Sequence, residues 1–262
     1  MSRAMYQLSH ISFAYGERQT LDDLSITFDA GHFYGIVGPN GSGKTTLVDL
    51  LSGHRRPVDG EIALDGRPLQ NYTRKELAQR IAVVPQDFRI NFPYTCRQVV
   101  MMGRYPRLPR FAPPGDSDRA VVDDVLARTA LTDFSERHVD RLSGGERQRV
   151  VFARCLAQQT DVLLLDEATA SLDMQHAIEL LNLAARRVAT GATVIAVMQD
   201  INLAAIYCDH LVCIRQGRLA AAGPTDRVLT AELLHEVFRV NARVEYHPHA
   251  NALQVVFNRE MP

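Results

Sequence analysis

Gly38-Pro39-Asn40-Gly41-Ser42-Gly43-Lys44-Thr45 places glycines, a lysine and a hydroxyl at the spacing G-x-x-x-x-G-K-S/T. The chemistry this suits is phosphate binding. Three glycines let the backbone wrap close to an anion, with successive N–H groups aimed at its oxygens. A helix running out of the loop adds its positive end. Lys44 supplies a cation for the outer phosphates, and the Thr45 hydroxyl is a ligand for Mg2+. Thr46 continues the same phosphate-contacting stretch. The alternative is a plain glycine-rich turn before a helix. The apolar strand Phe33–Val37 running in, and a helix starting near Lys44, favour the phosphate loop.

Two further groups complement it. Val162-Leu163-Leu164-Leu165 is a buried-strand run that ends in Asp166 and Glu167. In open α/β sheets ligands bind beyond the carboxyl ends of the strands. Asp166 there can hold Mg2+, and Glu167 can polarise an attacking water. The alternative for these two acids is a solvated strand end. Leu142-Ser143-Gly144-Gly145-Glu146-Arg147-Gln148 is a Ser-Gly-Gly turn opening a helix, hence a second anion site. Read blandly, it is a helix cap with Ser143 at N-cap and Glu146 at N3. One chain needs one cradle for a triphosphate, so the second suits a nucleotide bound elsewhere.

The elements that must position these groups follow from periodicity. Gln7–Ala14 and Leu24–Phe28 alternate as strands, with a turn at Tyr15-Gly16 between them. A helix from Lys44 ends at Ser52-Gly53, where glycine can take the left-handed cap. Next come strand Glu61–Leu64, helix Thr73–Arg80, strand Ile81–Val84 and helix Asp116–Thr129. Pro106, Pro109, Pro113 and Pro114 rule out regular structure between Arg104 and Gly115. Beyond Ser143 the spacing predicts a helix to Gln158, strand Val162–Leu165, helix Asp173–Val188 and strand Thr193–Met198. Helix Asn202–Tyr207 and strand Leu211–Ile214 follow. Asp173 is a plausible N-cap. Alternation of this kind predicts an α/β fold with a mostly parallel sheet. The tail reads as a helix, Thr230–Val240, and a hairpin of Arg243–Tyr246 with Ala252–Phe257.

Composition bounds the function more loosely. The 262 residues are 46% hydrophobic and 23% charged with a net charge of -1, which gives no general basic field for nucleic acid or anionic lipid. No apolar run approaches the ~20 residues of a membrane span, and the first six residues carry no apolar signal region. Cys96, Cys155, Cys208 and Cys213 are scattered, so four reduced thiols are expected. There are no repeats.

Taken in order, these motifs resemble the ATP-binding subunit of an ABC (ATP-binding cassette) transporter over essentially the whole chain. Gly38–Thr45 matches the family's Walker A loop and Gln86 its Q-loop. Leu142–Gln148 matches the signature, Val162–Asp166 with Glu167 the Walker B strand, and Ser171-Leu172-Asp173 the D-loop. The resemblance implies one ABC ATPase domain over 1–262. It would comprise a sheet core, an antiparallel β subdomain, a helical subdomain at 87–140 plus the signature helix, and an appendage at 230–262. It implies ATP as substrate and Mg2+ as cofactor, held by Thr45, Gln86 and Asp166. Glu167, Gln199, Gln86 and Lys44 would be catalytic, and Tyr15 would stack on adenine. It further implies a head-to-tail homodimer in which Ser143, Gly144, Gly145 and Gln148 act on the partner's ATP, with Asp173 in the D-loop. Two departures stand out: Ala168 where the family usually has proline, and Gln199 where it has histidine. Glutamine still donates an N–H but carries no charge, which puts the hydrolysis rate in doubt.

Lacking spans, such a chain works through a separate permease dimer, placing it on the cytoplasmic side of the membrane and, indirectly, with a substrate-binding protein. Val100–Pro106, Asp200–Ala205 and the ending Gly223-Pro224-Thr225 resemble importer ATPases for iron–siderophore, haem and cobalamin. Zinc/manganese and molybdate importers, and exporters, are the alternatives. DNA-repair relatives carry coiled-coil insertions and translation relatives fuse two cassettes; this sequence has neither, and no nucleic-acid partner is expected. The aromatics of Phe88–Tyr94 read either as a socket for a permease helix or as a core cluster. His247 and His249 read as an exposed loop, since a third metal ligand is not apparent.

Overall fold

The computed structural model describes residues 3–86, 92–170 and 172–258. The elements run β1 (Ala4–Tyr15), β2 (Arg18–Asp29), β3 (Phe33–Val37), α1 (Lys44–Leu51), β4 (Asp59–Leu64), β5 (Arg67–Pro68), α2 (Arg74–Arg80) and β6 (Ile81–Val84). Then come α3 (Cys96–Met102), α4 (Asp116–Arg128), α5 (Gly144–Ala157), β7 (Val162–Leu165), α6 (Met174–Ala189), β8 (Thr193–Val197), α7 (Ile201–Tyr207) and β9 (His210–Arg215). The chain closes with β10 (Arg218–Pro224), α8 (Thr225–Val228), α9 (Ala231–Phe238), β11 (Ala242–His247) and β12 (Ala252–Phe257). It divides into two compact units, one from the N-terminus to Asn71 together with the chain from Ala185, the other Tyr72–Ala184.

The first unit carries two kinds of sheet. An antiparallel sheet in the order β2-β1-β4-β5 buries Tyr6, Leu8, Ile11, Leu21, Leu24 and Phe28; the odd spacings Leu8–Ile11 and Leu21–Leu24 are absorbed by irregularities where His10 and Asp23 have positive φ. Tyr6 is fully buried, and its hydroxyl donates to the Leu51 carbonyl at 2.9 Å, tying that sheet to α1. The second sheet runs β10-β9-β3-β8, with β3 parallel to both β8 and β9. Every residue of β3 and β8 is buried. Strands covered on both faces read as unbroken apolar runs, which is why β3 matches its sequence-read bounds. The C-terminal hairpin β11–β12 meets α7 through a two-way amide contact. Asn202 Nδ2 donates to the Val255 carbonyl at 3.2 Å, and Val255 N–H donates to Asn202 Oδ1 at 2.7 Å.

The second unit pairs β6 with β7 in parallel, Ile81 opposite Val162 and Val84 opposite Leu165. Helices α3, α4 and α5 bury Val99, Val122, Val125 and Val150 to 0% exposure. α2, α3 and α5 each start with a capping box, on Thr73, Thr95 and Ser143. The proline stretch expected to be irregular holds one 3-10 turn, Tyr105–Arg107, because Pro106 sits near its start, where no N–H is needed. β10 has no expectation behind it: its alanines give no alternation, and it forms by antiparallel pairing to β9. The tail helix ends two residues early, where Arg239 adopts a left-handed φ of 61°. The four cysteines are buried and free. No helix among the described residues is long and apolar enough to cross a membrane.

Candidate nucleotide site

In the first unit the phosphate loop leaves the end of β3 and turns at once into α1. Gly38, Gly41 and Gly43 all have positive φ, at 154°, 76° and 104°. At two of them glycine is demanded by space as well. A Cβ on Gly38 would lie 2.1 Å from the Ile214 carbonyl oxygen, and one on Gly43 would lie 2.8 Å from that of Thr20. The loop is pinned from the β9–β10 turn by Gly217 N–H donating to the Ser42 carbonyl at 3.1 Å. Lys44 is only 6% exposed. Its ammonium arches over the loop and donates to the carbonyls of Gly38 at 2.8 Å and Pro39 at 2.9 Å. Pro39 and Asn40 form the loop's crest, Thr45 is exposed and Thr46 is buried beneath it. The Ser42 hydroxyl is buried and has no hydrogen-bond partner among the described residues. An orphaned hydroxyl beneath a ring of glycine amides and an ammonium suits an anionic ligand.

Tyr15 is 42% exposed, so it is not a core residue. Its ring meets Phe13 edge-on at 5.0 Å, and the Arg55 guanidinium lies 4.6 Å from its centroid. Arg55 in turn donates to Asp49 at 3.1 Å. Nothing in the local sequence singles out Arg55; it is one of two arginines just past α1, and only the packing selects it. Gln199 is exposed just beyond the fully buried β8. Asp200 follows as the cap of α7, accepting from the N–H groups of Asn202 at 2.8 Å and Leu203 at 3.1 Å, and so holds the backbone at 199.

In the second unit Asp166 continues the β6–β7 pairing, its N–H donating to the Val84 carbonyl at 2.9 Å, and its side chain is 7% exposed. Glu167 has φ 50°, a left-handed backbone rare for a non-glycine residue. Gln86 donates from Nε2 to Glu167 Oε2 at 2.9 Å. Two residues 81 apart in sequence are thus joined, one of them in a conformation that such sites hold under strain.

Ser143 caps α5 reciprocally with Glu146. Ser143 N–H donates to Glu146 Oε2 at 2.7 Å, and Glu146 N–H donates to Ser143 Oγ at 3.3 Å. These bonds to Ser143 hold the Glu146 carboxyl below the usual carboxylate range. A Cβ on Gly144 would meet nothing within 4 Å, and one on Gly145 would touch only Leu172 and His176 at ordinary contact. The fold itself therefore does not require glycine at 144. Gln148 is 8% exposed and donates to the Ala168 carbonyl at 3.3 Å, tying α5 to the turn after Glu167. Asp173 accepts from His176 N–H at 2.9 Å and pairs with its Nδ1 at 2.8 Å. The backbone bond from His176, then its ring, keeps the Asp173 carboxyl below the usual range. Ser171 and 87–91, with Phe88, lie outside the described residues.

Comparison with known proteins fits this geometry. A family model described as ABC transporter matches residues 21–170. The hemin import ATP-binding protein HmuV of Thermobifida fusca (strain YX) is 43% identical over 239 residues, 91% of this chain and 84% of the relative. The cobalamin import ATP-binding protein BtuD of Halobacterium salinarum (strain ATCC 29341 / DSM 671 / R1) is 44% identical over 237 residues, 90% of this chain and 59% of the relative. A solved metal-chelate type ABC transporter in an inward-facing conformation superposes with a TM-score of 0.83 at 27% identity, covering 97% of each chain. A dimeric bacterial ABC transporter cassette does so with 0.75 at 26% identity, over 84% of this chain and 99% of the other. A phosphate loop with its lysine in place and a glutamine joined to the acid after β7 accompany these matches, and the chain belongs to the ABC transporter family as an ATP-hydrolysing subunit of a transport system.

Proposed function

We propose that this subunit powers the import of a metal chelate of the tetrapyrrole or corrin kind, haem or cobalamin, through a separate permease dimer. The names of the relatives support that class. The subunit lies on the cytoplasmic face of the membrane, held there by the permease, which receives the substrate from a binding protein. Phe92, 66% exposed and 6.0 Å ring to ring from Tyr94, belongs to the permease-facing surface.

Lys44 and the loop amides bind the β- and γ-phosphates, and Tyr15 with Arg55 flanks the adenine. The Thr45 hydroxyl, the Asp166 carboxylate and the Gln86 amide oxygen would hold Mg2+; each is a hard oxygen donor of the kind this ion takes. When bound, Mg2+ neutralises the charge that builds on the phosphates. Glu167 accepts the proton of the attacking water. Gln86 holds the Glu167 carboxylate from one side, and Gln199 donates to the γ-phosphate.

Two copies close head to tail, each ATP lying between the phosphate loop of one and Ser143–Gly145 of the other. The glycine at 144, which the chain's own packing does not demand, supports close approach of a ligand from outside. The observation that carries the hydrolytic reading is the Gln86–Glu167 bond to a strained Glu167. Lys44→Ala is expected to lose ATP binding. Glu167→Gln is expected to bind ATP, stop turnover and accumulate as a dimer in gel filtration with ATP and Mg2+. A Glu167→Gln protein hydrolysing at the wild-type rate would remove Glu167 from the reaction. Uptake of haem against cobalamin into vesicles holding the assembled transporter decides the substrate.

A further inference from the structure

The signature helix α5 is fastened at the end remote from its serine. A helix leaves its last carbonyls without partners, and cations there are favourable. At the C-terminus of α5 the Cys155 and Leu156 carbonyls accept from the N–H groups of Gln158 and Gln159, while the Ala157 carbonyl and the two that follow it are met by two arginines of one short segment. Arg104 Nη1 donates to the Ala157 carbonyl at 2.7 Å and to Gln159 Oε1 at 2.9 Å. Arg107 Nε donates to the Gln158 carbonyl at 2.9 Å, and its Nη2 to the Gln159 carbonyl. Gln159 itself stands in a left-handed turn with φ 53°, which presents its carbonyl and side chain to the two guanidinium groups.

Arg104 is itself held. It is 7% exposed, and its Nε donates to Asp118 Oδ1 at 2.9 Å. Asp118 is 8% exposed and also accepts, through Oδ2, from Gly115 N–H at 3.1 Å, closing the start of α4. Gly103, one residue before Arg104, packs so closely on α5 that a Cβ would lie 2.2 Å from the Arg154 carbonyl oxygen. From the other side Gln158 Nε2 donates to the Ile81 carbonyl at 2.8 Å, at the start of β6. One guanidinium fork thus joins α4 to α5, and a lysine's point charge could not make the same three bonds. The 14 residues of α5 form a rod about 21 Å long, with Ser143 at its other end. A rod fixed at one end carries any tilt of that end to the other.

We propose that Arg104, backed by Asp118 and assisted by Arg107, is a positioning residue for Ser143–Gly145: it clamps α5 by its C-terminus so that the serine–glycine turn at the N-terminus meets the partner subunit's ATP. The clamp acts through the signature and touches no nucleotide. This rests on the trans arrangement of the preceding section.

The test uses heterodimers assembled with the permease, purified through a different tag on each ATPase subunit, all in a Glu167→Gln background. One subunit carries Lys44→Ala, so labelled ATP is retained only at the phosphate loop of the other. Arg104→Lys is placed either on the Lys44→Ala subunit, whose signature serves the live site, or on the other subunit, whose signature faces the dead one. A misplacement of about 1 Å at a reacting centre can cost on the order of 100-fold, so the first arrangement is expected to release labelled ATP at least about 10-fold faster than the reference. The second should match the reference. Equal loss in both arrangements means a general folding defect and overturns the proposal, as does no loss in either. Loss confined to the second arrangement keeps the clamp but shows that the signature acts in cis, which refutes the dimer reading instead. Should Arg104→Lys fail to fold, Arg107→Ala, at an exposed position, replaces it with a smaller expected effect in the same arrangement only.

Discussion

Replacing Gln199 with histidine tests one of the two residues that depart from the pattern the sequence resembles. The backbone at 199 is set by neighbours that do not change: β8 is wholly buried before it, and Asp200 caps α7 after it. A histidine therefore starts from the same Cα. Two terms then favour it. Histidine has one rotatable bond fewer to freeze, worth roughly 0.5 kcal/mol. A charged donor exceeds a neutral one by about 1–1.5 kcal/mol in a typical hydrogen bond. The sum, about 1.5–2 kcal/mol, corresponds to roughly 10- to 30-fold in the rate of γ-phosphate cleavage. ATP affinity should not change, because Lys44 and the loop amides hold the phosphates. The charged form of an ordinary imidazole is populated below about pH 6.5, so the gain of Gln199→His over wild type should be larger at pH 6 than at pH 8. The assay is the steady-state ATPase rate of the assembled transporter at both pH values, alongside equilibrium ATP binding. Equal rates for the two proteins would show that glutamine at position 199 is no handicap and would refute this reasoning.

Further outcomes follow from the glycines and the cap. Gly38→Ala forces a Cβ 2.1 Å from the Ile214 carbonyl oxygen at φ 154°, and should lower stability by about 3 kcal/mol or more, read as a fall in Tm of several degrees. Gly144→Ala meets no atom of the chain, so Tm should stay within about a degree while the ATP-bound dimer of the Glu167→Gln protein weakens; unchanged dimerisation would mean that nothing approaches Gly144. Glu146 has its carboxyl held down by Ser143, so its contribution is complete above the ordinary carboxylate range and is lost as pH falls through its lower folded value. Urea unfolding should show Glu146→Ala less stable by about 0.5–1 kcal/mol at pH 7, with the difference shrinking in strong acid; a difference that grows on acidification would refute the sign.

Much of this was legible without coordinates because the deciding physics is local. The phosphate loop declares itself through glycines whose positive φ is a property of the turn, and through a lysine and threonine at fixed offsets from them. β3, β6 and β7 carry their bounds in the sequence because a strand buried on both faces is an unbroken apolar run. The Ser143–Glu146 cap spans three residues and could be read as such. Other features needed the tertiary structure, for one recurring reason: their partners lie far away along the chain. Gln86 meets Glu167 across 81 residues. Arg55 lies over the ring of Tyr15 because the antiparallel sheet brings the end of α1 there. Gln148 meets the Ala168 carbonyl 20 residues further along the chain. β10 has no periodicity of its own and exists because β9 offers it an edge. Arg104 looked like part of a family signature in a proline-rich stretch, and only folding buries it against Asp118 and the end of α5. Residue type and short spacing set which chemistry the chain can carry; which side chains meet is decided by long-range packing that no local pattern encodes.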